Sequence, residues 1–312
     1  MRIILAPMEG VLDHSLRELL CAQGGFDLCI GAFIRIIDQT LPKKVFLRHY
    51  PELNQGSQIA GVPVRVQLLG QNPRAMADNA LQACEMGSPG VDLNFGCPAK
   101  NVNRSQGGAF MLQEPESIYS VVKAVRDAVP SHLPVSAKIR LGWDHSEDCL
   151  KIAQLIEAAG ASELCVHGRT KVDGYRADKI DWQKIGEINR AIEIPVIANG
   201  EIWDQWDAQE CLRQTGCSSL MIGRGALNLP NLARSIRGES SYSWQQTAQL
   251  LVEYAELMSR DNPEYLAHRC KQWLTYLRQQ YSEAKDLFLA MRRQHDNQEF
   301  LKELSALCHG VS

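Results

Sequence analysis

A thiol, a lysine inside an apolar run and two glycine-flanked polar corners are the groups in this sequence that could do chemistry. The thiol is Cys97, in VDLNFGCPAK (91–100), where a short apolar stretch breaks at Gly96 and Pro98 stiffens the loop behind the cysteine by fixing φ. A free cysteine is commonly an inert core side chain, so residue type alone leaves Cys97 between packing and function. Lys138 sits in PVSAKIRL (134–141), where an unpaired ammonium is costly. Either that strand has an exposed side, or the lysine faces an anionic or electron-rich ligand. NGE (199–201) and GRG (223–225) each close an apolar run. Alone, each glycine reads as a turn. Together, with Arg224 able to fork a phosphate, they predict a phosphate-bearing cofactor.

Positioning these groups falls to eight short apolar runs at 2–6, 27–30, 63–69, 90–95, 134–141, 162–167, 194–199 and 219–223, most of them separated by amphipathic stretches such as 72–87 and 115–129. Apolar strands alternating with helices indicate a parallel sheet covered on both faces. Eight units predict a (β/α)8 TIM barrel, with a doubly wound open sheet as the competing fold. Barrel chemistry sits where strands end, and the corners at NGE and GRG follow the seventh and eighth runs, where barrels often hold phosphate. No G-x-G-x-x-G occurs, so a mononucleotide, FMN, is expected rather than a dinucleotide. APMEG (6–10) would put backbone beside its ring, with Gln67 and Lys138 at the ring's polar atoms.

After Gly238 the texture changes to a polar break, GESSYSW (238–244), and then to helical patterns without a strand. The division expected is a catalytic barrel over residues 1–240 and an all-helical bundle over 241–312. Net charge is −3, which excludes a broadly basic nucleic-acid binder and leaves any anionic partner to a local patch. Ten cysteines without C-x-x-C or zinc-like spacing predict reduced thiols, a cytoplasmic setting and no metal site. The start is too short for a signal peptide, and no apolar run suits a membrane span.

APMEGVLD, VQLLGQNP, DLNFGCPAKNVNRSQGGAFML, KIRLGW, VHGRT, IPVIANGEI and MIGRGAL resemble, in order and spacing, the tRNA-dihydrouridine synthase family over about residues 1–235. RCKQWLTYLRQQY (269–281) resembles its C subfamily, which acts on uridine 16 of the tRNA D-loop. The stretch NRSQGGA after Val102 departs from the C-type pattern, and Arg104 and Gln106 look closer to the B subfamily. The resemblance implies that NADPH (or NADH) reduces FMN and that the flavin gives a hydride to C6 of the uracil, while Cys97 supplies a proton to C5 as general acid. By the same resemblance Pro7, Met8, Glu9, Gln67, Lys138, His167, Asn199, Gly200, Glu201, Gly223 and Arg224 contact the flavin, and Asn94 contacts the uridine unless it only caps backbone.

The implied partner is tRNA, with no membrane or protein partner evident. A uridine in folded tRNA must be splayed out to reach such a site. Cations near the mouth are therefore expected, with Arg35, Arg140, Arg169 and Lys171 as candidates and Tyr175 able to stack. In the tail, Lys271 and Arg278 lie seven residues apart on one helix face, away from an apolar stripe of Leu266, Cys270, Leu274, Leu277 and Tyr281. The C-subfamily resemblance adds Arg35, Asn94, Arg140, Tyr175, Lys271, Trp273 and Arg278 as tRNA contacts, with a core role open for Trp273. Two alternatives stand beside this reading: an FMN barrel acting on a small molecule such as a free pyrimidine, and a non-catalytic RNA-binding protein.

Overall fold

The computed structural model describes residues 1–309. Ten strands run through them: β1 (Arg2–Leu5), β2 (Leu28–Ile30), β3 (Ile34–Arg35), β4 (Gln58–Ile59), β5 (Val62–Leu69), β6 (Val91–Phe95), β7 (Val135–Arg140), β8 (Glu163–His167), β9 (Val196–Asn199) and β10 (Ser219–Ile222). β1, β2 and β5 to β10 pair in parallel, one to the next, and β1 returns to β10 with Arg2 opposite Ser219. The sheet is therefore a closed eight-stranded TIM barrel and not an open doubly wound sheet. The two short strands are additions to β5: β3 extends its carboxyl end, and β4 runs antiparallel at its start.

Helices α1 (His14–Ala22), α2 (Lys43–His49), α3 (Pro73–Glu85), α4 (Lys100–Asn103), α5 (Pro115–Ala128), α6 (Cys149–Ala158), α7 (Trp182–Ala191), α8 (Gln205–Thr215), α9 (Arg224–Asn228) and α10 (Leu232–Ile236) lie in the connections and after β10. Their ends follow local chemistry. Asn72 caps α3 from the side chain with Pro73 next, and Asp204 caps α8, which stops at left-handed Gly216. Apolar side chains fill the layer between helices and sheet, while Ile4, Ala6, Leu28, Ile30, Cys165, Ile197 and Met221 form a separate cluster along the strands' other face, inside the barrel. No helix among the described residues is long and apolar enough to cross a membrane.

The tail is helical, as expected: α11 (Trp244–Asp261), opened by a Ser243/Gln246 capping box, then α12 (Leu266–Leu277), α13 (Ser282–Met291) and α14 (Asn297–His309). Leu266, Cys270, Leu274, Leu277 and Tyr281 are all buried. The layer docks on the start of the chain. Tyr254 donates to Asp13 at 2.7 Å, Ser15 to Asp261 at 2.9 Å, and Arg269 and Gln272 both donate to the Gly10 carbonyl, at 2.6 and 3.0 Å. α12 thus braces the loop after β1, which opens the barrel's mouth.

Candidate active site

At the carboxyl ends of the barrel strands lies a cavity of about 1150 Å³. Pro7, Met8, Glu9, Arg35, Gln67, Asn94, Cys97, Lys138, Arg140, His167, Tyr175, Asn199, Gly200, Glu201, Gly223 and Arg224 all line it. Its volume exceeds that of an ordinary small-ligand pocket and leaves room for a cofactor beside a second molecule.

Cys97 is half-buried on this wall. Burial pushes its thiol above the ordinary cysteine value, outweighing the Ala99 N–H and the charges of Arg140 and Lys138. The group therefore keeps its proton near neutral pH, which suits an acid better than a nucleophile. Its loop is held from below. Asn94 Oδ1 accepts the N–H groups of Gly96 and Cys97, each at 3.0 Å. Asn94 Nδ2 donates to Gln67 at 2.8 Å, and Gln67 Nε2 donates to Asp92 at 2.7 Å. Ser136 donates to the other Asp92 oxygen at 2.5 Å, and Arg65 reaches both Ser136 (3.0 Å) and Glu163 (2.5 Å). Donor-only N–H groups at the top and an acceptor at the bottom fix which way both amides face. Asn94, expected at the uridine, caps the thiol loop through Oδ1, while Nδ2 spends one N–H on Gln67 and keeps a second on a residue that lines the cavity. Burial raises the Asp92 carboxyl to about 6.

The loop that follows packs against the same residue. Cys97 O accepts from Asn103 Nδ2 at 3.0 Å and from Ala109 N at 3.1 Å. Gly108, at φ +60°, has no room for a side chain: a Cβ there would lie 2.9 Å from Val102 Cγ1 and 3.0 Å from Cys97 O. The atypical NRSQGGA stretch (103–109) therefore starts at the last residue of α4, makes a tight turn with Gln106 at φ +60°, and returns to Cys97 O through the Ala109 N–H.

Across the cavity the groups suit an anionic, polar-ringed cofactor. Lys138 donates to Asn199 Oδ1 at 2.9 Å, which leaves two of its three N–H groups for a ligand. Desolvation lowers its pKa. Burial first, and then Arg140, Lys138, Arg169 and Arg224, hold His167 well below the usual imidazole value, so it is neutral. Its Nδ1 is buried without a partner. Gly200, at φ +115°, keeps the backbone close to that ring, since a Cβ would sit 3.3 Å from His167 Nε2 and 2.9 Å from Ile180 Cδ1. Glu201 ion-pairs with Arg169 at 2.8 Å and Arg224 at 3.0 Å, and its carboxyl is lowered despite burial because Trp203 and the two arginines stabilise the charge. Arg224 in turn lies over the rings of Tyr175 (4.7 Å) and Trp203 (5.0 Å).

Among the expected RNA-facing cations, Arg169 is a correction. It is 0 % exposed, consumed by Glu201 and the Arg176 carbonyl, because it must neutralise a carboxylate inside the wall. Arg140 is also buried, donating to the carbonyls of Gly96, Thr170 and Gly174. It stands under Tyr175, which is 54 % exposed. Arg35 is exposed and bonded to Ser105, and Lys171 lies over the Trp143 ring at 4.0 Å. Lys271, Trp273 and Arg278 do not line the cavity. Trp273 is 1 % exposed, donates to Leu227 O at 3.0 Å and meets Tyr254 edge-on, so its place is in the core. Lys271 donates to Gln294 O at 2.9 Å, and Arg278 lies over Phe288 at 4.8 Å. Instead α12 and its end present Tyr276 and Gln279 to the cavity, and Trp203, Arg48 and His49 line it too. The one sequence signal for the first pair was position: they follow the buried stripe by one helical step, on a face that polarity alone does not mark. Asp92 carried the same signal as Lys138, a charge inside an apolar strand.

A family model described as Dihydrouridine synthase (Dus) matches residues 4–307. The tRNA-dihydrouridine(16) synthase of Escherichia coli is 54% identical over 310 residues, 98% of each chain. The protein of the same description from Vibrio parahaemolyticus is 54% identical over 295 residues, 94% of this chain and 92% of its own. Among solved structures, a 2-naphthoyl-CoA reductase complex aligns with a TM-score of 0.59 at 14% identity, over 76% of this chain and 50% of that one, a likeness of fold alone.

Proposed function

Because the chain belongs to the dihydrouridine synthase family, we propose that it reduces the C5–C6 double bond of uridine 16 in the tRNA D-loop, as an FMN enzyme driven by NADPH. The observation that carries this reading is a thiol that keeps its proton on the wall of a cavity large enough for a cofactor and an extruded base.

The flavin, when bound, supplies the hydride that goes to C6. Cys97 supplies the proton to C5. Its raised pKa keeps it loaded, and the Asn94–Gln67–Asp92 ladder with Gly108 below holds the loop backbone from which its Sγ projects. Misplacing such a donor by ~1 Å costs about a hundredfold in rate. Lys138, with two free N–H groups, and neutral His167 would hold polar atoms of the cofactor, and the backbone at Gly200, Gly223 and Arg224 would hold its phosphate. Pro7, Met8 and Glu9 would contact the cofactor from the β1 loop, which α12 braces through Gly10. Arg35, Tyr175 and the exposed Arg278 contact the RNA, while Arg140, Lys271 and Trp273 act from behind by holding Tyr175, the turn before α14, and α12. Tyr276 and Gln279 are the α12 residues that meet the incoming base.

The test is dihydrouridine mapping in tRNA from cells lacking this chain. Wild type should restore dihydrouridine at position 16. Cys97→Ala should leave flavin content and flavin reduction by NADPH intact while lowering dihydrouridine formation by about 10²–10⁴. No change at position 16 on adding the wild type refutes the reading, and full activity of the alanine variant removes Cys97 from it.

A further inference from the structure

Several surface cations of this molecule are neutralised by a neighbouring carboxylate, and one cluster at the mouth is not. Around the barrel's flank they are neutralised locally: Lys123 pairs with Asp127, Lys151 with Glu116, Lys184 with Glu187 and Arg213 with Glu210. On the rim formed by α2 and α4 they are not. Lys43, Lys44, Arg48, Lys100 and Arg104 are all exposed, and none has an ion-pair partner among the described residues. Arg48 and Lys100 line the cavity itself. Five unpaired cations thus stand on or just past two short helices at the mouth of a protein whose net charge is −3, while other exposed cations without an ion pair among the described residues, such as Arg74, Arg190 and Arg260, are scattered singly.

The start of helix α2 is also poorly matched to the helix dipole, although Arg48 and His49 in its last turn suit it. Lys43 and Lys44 open it, no acidic residue lies in its first turn, and Pro42 gives no side-chain cap. Cations at that end oppose the helix dipole. Lys44 and Arg48 are four apart, a like-charge pair on one stripe. Sequence choices that break local rules without a compensating contact mark a function elsewhere. The helix stays in place through Phe46, which is fully buried, so its charged face is presented on a fixed support.

We propose that the α2–α4 rim is a binding surface for the RNA sugar–phosphate backbone, gripping the strand beside the extruded base on the far side of the mouth from Tyr276 and Gln279. The inference rests on the tRNA reading above and adds a partner surface to it. An acidic protein would also be drawn to positive charge. The rim, however, continues into the cavity wall through Arg48 and Lys100, where the chain flanking a flipped base must pass.

The experiment is tRNA binding by fluorescence anisotropy across a salt series, on the full chain. The variant is Lys43→Ala/Lys44→Ala/Arg48→Ala. The control, Lys123→Ala/Lys151→Ala/Lys184→Ala, removes the same charge from the flank. The rim variant should bind on the order of tenfold or more weakly at about 0.1 M salt, and its log–log slope should shrink by roughly 2–3, one step per lost phosphate contact. The control should match wild type, and all three should melt as folded proteins. If the rim variant keeps the wild-type slope, or the control loses as much, the rim is not the surface. If wild type itself fails to bind tRNA, the functional reading falls first, and that outcome is distinct.

Discussion

At the scale of single residues, one buried carboxylate carries an unusual consequence. Asp92 is 1 % exposed, and burial raises its pKa from an ordinary carboxyl value to about 6. A carboxyl whose folded pKa is raised contributes stability that is complete below the unfolded value and is lost as pH rises through the folded one. Wild type should therefore lose stability between about pH 4 and pH 6 on this account, by up to about 3 kcal/mol. Asp92→Asn abolishes the titration. Its amide can turn Oδ1 to Gln67 and Nδ2 to Ser136, so the ladder under Cys97 keeps its direction. The expected result is that the variant gains on wild type in urea unfolding as pH rises from about 4 to about 6, with the difference level above that. A stability difference that is flat from about pH 4 to about pH 6 contradicts the assignment. Asp92→Leu accepts nothing, leaves Gln67 Nε2 without its acceptor, and should lower dihydrouridine formation with the fold retained. The carboxylate is thus kept for the orientation it imposes and not for the stability it adds.

Elements show how a side chain can matter to a ligand it does not reach. Trp273 lies inside the seam between α12, α9 and α11, with its indole N–H on Leu227 O and its edge against Tyr254. Trp273→Phe keeps most of the packing but orphans that carbonyl, so unfolding should cost about 1–2 kcal/mol less. Because α12 carries Tyr276 and Gln279 three and six residues on, tRNA affinity should fall too, while flavin retention holds. Retained tRNA affinity in a measurably destabilised variant would separate Trp273 from recognition. The elements themselves were largely legible in the sequence. All eight barrel runs appear within two residues of their expected ends, because an apolar β-branched run between helices admits few alternatives. Most of the cavity wall was legible too: Cys97, Lys138, Asn199 and Arg224, at or near strand ends, all line it. What escaped was partnership. Arg169 and Arg140 read as surface cations, yet Glu201 and three loop carbonyls take them inward. Lys271 and Arg278 read as a free face, yet Gln294 O and Phe288 meet them. Those contacts come from segments distant in sequence, and no helical period records them.

For the whole molecule, the question is whether residues 1–240 and 241–312 are two folding units or one. One apolar cluster runs through both, from Leu12, Leu16 and Leu20 of the first turns of the barrel to Leu251, Ala255 and Leu274 of the tail. Its seam is tied by Tyr254–Asp13, Ser15–Asp261, Trp273–Leu227 and the two donors on Gly10. Removing the tail would open the outer face of α1, where Leu16, Leu19 and Leu20 are each at most 5 % exposed. It would also strip the brace from the β1 loop that forms one wall of the cavity. Each fully buried leucine represents about 1.5–3 kcal/mol of transfer free energy, and a domain's whole margin is only about 5–15 kcal/mol. The full chain, freed of cofactor, should therefore unfold in one transition. Far-ultraviolet circular dichroism and intrinsic fluorescence, to which four tryptophans of the barrel and two of the tail contribute, should give the same midpoint in urea. A chain ending at residue 240 should bind hydrophobic dye and aggregate at concentrations where the full chain is monodisperse. If it instead folds, holds flavin and unfolds at the full-length midpoint, the tail is an independent unit, and α12 cannot be what fixes the shape of the mouth.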